Sequence, residues 1–175
     1  MSSGSGNEVR GGRAGRPAEQ RLLIDGIIRR AAEATPEAPA ACVGTRQNGY
    51  STLSYAELER DANRIAAVLR DRLGIGLGDR VLGWADTSIE VLPLFVALAK
   101  IGAVFAPLNA RLGPAEAAEI AQLARAKLLI VDPPRAADAP ALAASAGISE
   151  WALLPVDGEG GATEVDSNRV FLAAS

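Results

Sequence analysis

The stretch that most restricts how this chain can fold spans residues 88–111, SIEVLPLFVALAKIGAVFAPLNAR. Val91, Leu92, Phe95, Val96, Leu98 and Ala99 form an almost continuous apolar run, and Thr87 and Glu90 stand three apart ahead of it, as in a capping box. This predicts a helix. Gly102 follows where such a helix needs a left-handed terminating residue, a conformation that glycine adopts without strain. Residues 103–108 then form a short apolar run broken by Pro107, which reads as a buried strand. A helix delivered by a tight turn into a strand is half of a βαβ unit, and it points to a parallel sheet with helices packed on it. The same stretch does not suit a membrane span. A span needs about 20 predominantly apolar residues, and Pro93, Lys100, Gly102 and Pro107 divide this run. No transmembrane segment is expected.

Composition removes several function classes. The 175 residues are 49% hydrophobic and only 4% aromatic, so the core has to be mainly aliphatic. A net charge of −3 favours neither nucleic acid nor an anionic membrane as partner. The single cysteine, Cys42, allows no internal disulfide, and its short apolar run predicts a packed thiol. With no histidine, a His/Cys zinc site and the Ser–His–Asp and Cys–His nucleophilic mechanisms are excluded.

The remaining elements fall around the central stretch. Residues 1–17 are Gly, Ser and Arg with little apolar content and no hydrophobic run of the secretory kind, which predicts a disordered tail. Residues 18–34 form an amphipathic helix with Leu23, Ile24, Ile27, Ile28 and Ala31 on one face. Residues 39–45 and 50–53 are short strands that can pair as a hairpin. Residues 54–73 form the clearest helix: Ser54 and Glu57 make a capping box, and Leu58, Ala62, Ile65, Ala66 and Leu69 make a buried stripe. The glycine-rich segment 74–79, GIGLGD, superficially matches a dinucleotide loop. It follows a helix and precedes a strand, the reverse of what that loop requires, and so reads as a helix-ending turn. From Arg80 onward strand and helix alternate: strands at 80–84, 103–108, 127–131 and 151–156, helices between them starting at Pro114 and spanning 136–146, an acidic loop over 157–168, and a last apolar run at 170–173. The expected fold class is α/β, a doubly wound, mostly parallel sheet with flanking helices, occupying residues 18–175.

Three motifs carry a resemblance. Leu53-Ser54-Tyr55-Ala56-Glu57-Leu58 resembles the L-[TS]-Y-x-E-L motif of the adenylate-forming enzymes. Asn63 to Leu69 followed by Gly78-Asp79-Arg80-Val81 is similar to their N-R-x-A-x-x-L and G-D-R-V segments. Residues 98–109, LAKIGAVFAPLN, are similar to their L-x-K-x-G-A-x-x-x-P-L-[ND] motif. Asn109 followed by Arg111 is more like the acyl-CoA synthetases than the peptide-synthetase domains. Gly113 departs from the Ser or Thr usual at that position.

The resemblance implies a cytoplasmic ligase. In such enzymes a carboxylic acid attacks the α-phosphate of ATP with the help of Mg²⁺, and coenzyme A then takes the acyl group. The last residues resemble the strand that leads into the family's phosphate loop, which puts Ser175 at the edge of that loop as the one cofactor-binding position. The resemblance assigns no catalytic and no metal-binding residue here, because the loop and the lysine of the adenylation step lie downstream in the family. The chain is therefore expected to be an N-terminal fragment, inactive alone and without tight binding of ATP, Mg²⁺ or CoA. A non-catalytic module, or one half of a split enzyme working with a complementary chain, is the competing reading, and self-association is expected of exposed apolar surface. By position alone, Asp86, Asn109, Arg111 and Asp132 stand at strand C-termini, where open α/β sheets bind ligands. Each also has a plain structural role open to it, as helix entry, turn or surface charge.

Overall fold

The structure, a computed structural model, describes residues 23–45, 49–154 and 169–171. The predicted tail at 1–17, the first residues of the predicted N-terminal helix, the acidic loop and Ser175 lie outside the described residues.

Helix α1 (Ile24–Ala34) leads into an antiparallel hairpin of β1 (Pro39–Thr45) and β2 (Gly49–Ser54), which runs straight into helix α2 (Tyr55–Asp71). The predicted capping box is formed. Ser54 Oγ accepts from the Glu57 N–H at 3.3 Å, and the Glu57 carboxylate accepts from the Ser54 N–H at 2.9 Å. The N–H groups of Tyr55 and Ala56 donate to the carbonyls of Ala38 and Pro36. The first turn of α2 thus spends its otherwise orphaned donors on the base of the hairpin and fixes the hairpin's position. Cys42, predicted as a packed thiol, is exposed: the hairpin is a two-stranded sheet and its residue pairs largely face solvent. Helix α1 likewise buries less than its pattern predicts. Only Ile28 of its apolar face packs against the core, while Leu23, Ile24 and Ile27 stay substantially exposed.

The main sheet follows. Strands β3 (Arg80–Trp84), β4 (Val104–Leu108), β5 (Leu128–Val131), β6 (Glu150–Leu153) and β7 (Arg169–Phe171) are all parallel and lie in the order β4-β3-β5-β6-β7. Helix α3 (Val91–Ile101) connects β3 to β4, α4 (Pro114–Ala124) connects β4 to β5, and α5 (Ala139–Ala146) connects β5 to β6. Successive strand residues alternate between two cores, as the period-2 geometry of a strand demands. Val81, Leu128, Ile130 and Ala152 join α2 and α3 on one face. Leu82, Trp84, Leu129, Val131, Trp151 and Leu153 join α4 and α5 on the other. The second core is built from two tryptophans set against the small residues Ala117, Ala121, Ala139 and Ala143, so bulk on the sheet is matched by close approach of the helices. Between α2 and α3, Lys100 Nζ meets Glu59 Oε1 at 2.8 Å, and Asn63 Nδ2 donates to the same oxygen. Among the described residues no helix is long and apolar enough to cross a membrane.

Two prolines move helix starts away from the sequence expectation. Thr87 and Glu90 do not form a capping box: α3 begins at Val91, and no side chain caps it. Pro93 has no N–H to give, so it has to sit in the first turn, and that sets the start. Helix α5 begins at Ala139 rather than 136 for the same reason, with Pro140 in its first turn and a 3₁₀ turn at Pro133–Arg135 ahead of it. A third proline corrects the reading of 103–108 as a buried strand. Among the described residues the strand is β4, at the edge of the sheet, with Val104 47% exposed; Pro107 has no N–H to give to a neighbouring strand and suits an edge. At the start of α4, Gly113 lacks a capping side chain, but its N–H donates to Glu116 Oε2, which completes half of a capping box.

Gly102 ends α3 as predicted, at φ 71°. The Ala103 N–H closes back on the Leu98 carbonyl at 2.9 Å, the Schellman arrangement. A Cβ on Gly102 would come within 2.6 Å of Leu77 Cδ1. That contact is with the tip of an exposed side chain and can relax, whereas the backbone angle cannot. Gly102→Val is expected to lower stability by about 1–2 kcal/mol, read as a lower denaturant midpoint. Gly26→Ala, in open space on α1, is expected to raise stability by up to about 1 kcal/mol.

Hydrogen bonds from Ser54 hold the Glu57 carboxyl below its usual range, and the Gly76 N–H and then Lys127 do the same for Asp79. Both carboxyls are depressed on folding. Their contribution is complete above the unfolded pKa of about 4 and is lost as pH falls through the folded values, because the unfolded chain binds the proton first. The urea midpoint is expected to drop from about pH 4 downward, and Glu57→Gln should shrink that drop. An unchanged slope in the variant would contradict the assignment.

Candidate functional site

Strand β3 is the point at which the strand order reverses: the chain leaves it for β4 on one side and returns to β5 on the other. The two crossovers lie on opposite faces, α3 on one and α4 on the other. At such a switch point the loops after neighbouring strands part and leave a crevice. Here it is an open cleft of about 880 Å³. Its floor contains Gly83, Ile130 and Leu154, its wall contains Val91, Leu92, Phe95 and Phe105, and its rim contains Asp86, Asn109 and Arg111. Gly83 is required by the wall: a Cβ there would lie 2.5 Å from Phe105 Cε2. Phe105 in turn stands against Phe95, ring centroids 6.4 Å apart and tilted by 59°, within the range of favourable edge-on aromatic pairs.

Behind the rim, one guanidinium joins three loops. Arg135 Nη1 donates to Asp132 Oδ2 at 2.5 Å, Nη2 donates to the Ala110 carbonyl at 2.6 Å, and both nitrogens reach Asp86 Oδ2 at 3.3 Å. The guanidinium carbon lies 5.6 Å from the centre of the Trp84 ring, a cation–π distance. Asp132 Oδ2 also accepts from the Asp86 N–H at 2.8 Å. The loops after β3, β4 and β5 are therefore fixed to one another. Burial disfavours the charge on Arg135, but the hydrogen bond and charge of Asp132, and then Asp86, outweigh it and raise its pKa above the ordinary value.

The four residues picked out by position separate into two groups. Asp86 and Asp132 are brought together, Asp132 being 3% exposed and Asp86 open to solvent. Asn109 uses its side chain locally, Oδ1 accepting from the Arg111 N–H at 3.0 Å, and Arg111 is exposed on the rim. Sequence reasoning missed Arg135, Gly83, Phe95 and Phe105. The spacing of Asp132 and Arg135, three apart across two prolines, was the available signal for the first. For the others no local signal exists, because the cleft is made by strands distant in sequence.

A family model described as AMP-binding enzyme matches residues 28–166. The chain belongs to the AMP-binding enzymes. Among relatives, it is 40% identical over 94 residues to a crotonobetaine/carnitine–CoA ligase of Salmonella arizonae, covering 54% of this chain and 17% of that protein. It is 37% identical over 103 residues to the long-chain-fatty-acid–CoA ligase FadD13 of Mycobacterium tuberculosis, covering 57% and 20%. Among solved structures, the N-terminal domain of FACL13 from Mycobacterium tuberculosis superposes with a TM-score of 0.64 at 30% identity, covering 79% of this chain and 39% of that domain. The chain thus spans about a fifth of the length of the curated relatives it matches.

In this AMP-binding chain the three motifs have structural work. The first caps α2 onto the hairpin. The second makes the turn into β3: Asp79 Oδ2 accepts from the Gly76 N–H at 2.9 Å and from Lys127 Nζ at 3.0 Å. The third is the α3–Gly102–β4 corner and the Asn109 turn. The glycine-rich turn is no cradle for a phosphate. The N–H groups of the glycine-rich turn are already committed, Gly76 to Asp79, Gly78 to the Gly102 carbonyl and Asp79 to the Gly76 carbonyl. That turn also lies at the opposite end of β3 from the cleft. Among the described residues no group of three or more metal-ligating side chains gathers.

Removing the guanidinium would leave Asp132 buried and unpaired, which typically costs about 3–5 kcal/mol. Arg135→Met should lower the urea midpoint by a corresponding amount, and Asp132→Asn in the same background should recover part of the loss. A purely additive double-mutant cycle would show that the two side chains are not coupled.

Proposed function

We propose that this chain is the N-terminal portion of an ATP-dependent acyl-CoA synthetase, a scaffold that forms no acyl-adenylate by itself. The observation that supports this most directly is the location of the three family motifs. They build one contiguous block, α2–β3–α3–β4, beside a switch-point cleft, and the side chains of Ser54, Glu57, Asp79 and Lys100 in them hold that block together. In the complete enzyme, a carboxylic acid would attack the α-phosphate of ATP and coenzyme A would accept the acyl group. The groups needed to stabilise charge on the phosphates are converging backbone N–H donors and a lysine, and the downstream part of the domain would supply them. Ser175 would stand at the edge of that phosphate loop. Work in the cytoplasm fits an exposed, unpaired Cys42, which a reducing compartment keeps as a thiol.

The test is pyrophosphate release from ATP over a panel of carboxylic acids, aliphatic and aromatic. The 175-residue chain is expected to release none. A fusion that continues past Ser175 with the remainder of a relative's domain is expected to turn over. Turnover by the chain alone would overturn the proposal.

A further inference from the structure

We infer that helix α1 is an interfacial anchor: its open apolar face lies on an anionic phospholipid bilayer, with arginines on the lipid phosphates. This does not depend on the acyl-CoA synthetase reading.

The face exists because α1 is more apolar than its seat requires. The helix lies against α2 and α3, and of its large apolar residues only Ile28 packs on the core they form. Leu23, Ile24 and Ile27 stay 56%, 42% and 46% exposed. At about 100° per residue, Ile24, Ile27, Ala31 and Ala34 share one sector of the helix, and Arg30 borders it. Arg30 is exposed, and its Nε donates to the Gly26 carbonyl at 3.1 Å, which folds the side chain back over the preceding turn. Arg29 is exposed as well. The two acids of the helix, Asp25 and Glu33, stand about 100° or more from the edges of the sector.

The distribution of charge selects the occupant. The net charge of −3 is uneven: residues 1–30 hold six arginines against Glu8, Glu19 and Asp25, a surplus of three positive charges, so the rest of the chain carries −6. The attraction to anions is therefore confined to the end that carries the apolar sector. An anionic bilayer answers both features, with acyl chains for the aliphatic residues and phosphates for the guanidinium groups. A protein groove answers them less well. Aromatic side chains dominate such contacts, and the eleven residues of α1 include none. A cytoplasmic leaflet supplies the anionic lipid.

The experiment is flotation of the 175-residue chain with vesicles of phosphatidylcholine and phosphatidylglycerol in equal parts, and with phosphatidylcholine alone. The chain is expected to float with the first and not with the second, and to be released as salt is raised to about 1 M. Ile24→Ser with Ile27→Ser, and separately Arg29→Gln with Arg30→Gln, should each lower the partition coefficient by about tenfold or more. Leu123→Ser, on α4 at a position 83% exposed, should leave it unchanged. Urea midpoints of the variants are compared with the parent. A second measurement stands apart from the loss variants: a fluorophore on Ile27→Cys, in a Cys42→Ser background, should shift to shorter wavelength with the anionic vesicles, and one on Leu123→Cys should not. Equal binding to both vesicle types, partition indifferent to both double substitutions, or an unshifted probe at position 27 overturns the inference. So does a dimer that binds no vesicles and that Ile24→Ser with Ile27→Ser breaks up, since the occupant is then a second copy. A fusion that continues with the remainder of the FACL13 domain is expected to float too; if only the 175-residue chain floats, the rest of the domain covers α1 and the inference falls.

Discussion

Strand β3 is covered on both faces and both edges, and the rest of the structure is arranged by that requirement. Its residues Val81, Leu82 and Trp84 are at most 2% exposed, and its backbone pairs with β4 on one side and β5 on the other. Parallel neighbours cannot be joined to it by tight turns, so each must come by way of a helix. Two helices leaving to opposite sides have to lie on opposite faces. From this one burial constraint follow the two separate cores, the reversal of strand order and the cleft at the reversal.

The cleft needs a further device, because loops that part at a switch point have few contacts of their own. Arg135 supplies it. A guanidinium carries its donors in a fixed planar fork, and here Nη1 and Nη2 are divided among a buried carboxylate, an exposed carboxylate and a main-chain carbonyl from three different loops. An ammonium could balance the charge of Asp132 but could not reach all three in one plane. The rigidity of the rim is thus a matter of geometry as much as of charge. At the other end of β3, Lys127, Asp79 and the Gly76 N–H perform a similar task on a smaller scale, closing the turn from α2 against the start of β5.

The local features were largely legible. Ser54 with Glu57, and Gly102 after an apolar run, announce themselves because a cap is satisfied by residues three or four apart. The helix and strand order from Arg80 onward was legible because each segment shows its own period. The starts of α3 and α5 were misjudged, the first because a capping pattern at Thr87 and Glu90 competed with a proline in the next turn; the missing N–H of Pro93 and Pro140 prevailed, since no side chain replaces a main-chain donor. Cys42 and the apolar face of α1 were judged buried from their neighbours in sequence, yet burial depends on what lies opposite in space.

The sequence by itself determined the family motifs, the alternation of strand and helix, and the left-handed corner at Gly102, all of which rest on interactions within a few residues. The tertiary structure alone decided that β4 is an edge and β3 a centre, that Asp86 and Asp132 share one guanidinium, and that Gly83 lies beneath Phe105. Those facts join residues more than twenty positions apart, and strand order is settled by competition among pairings that local pattern does not distinguish. A period of two says that a strand has two faces; only packing against the other elements says which of its edges remains open.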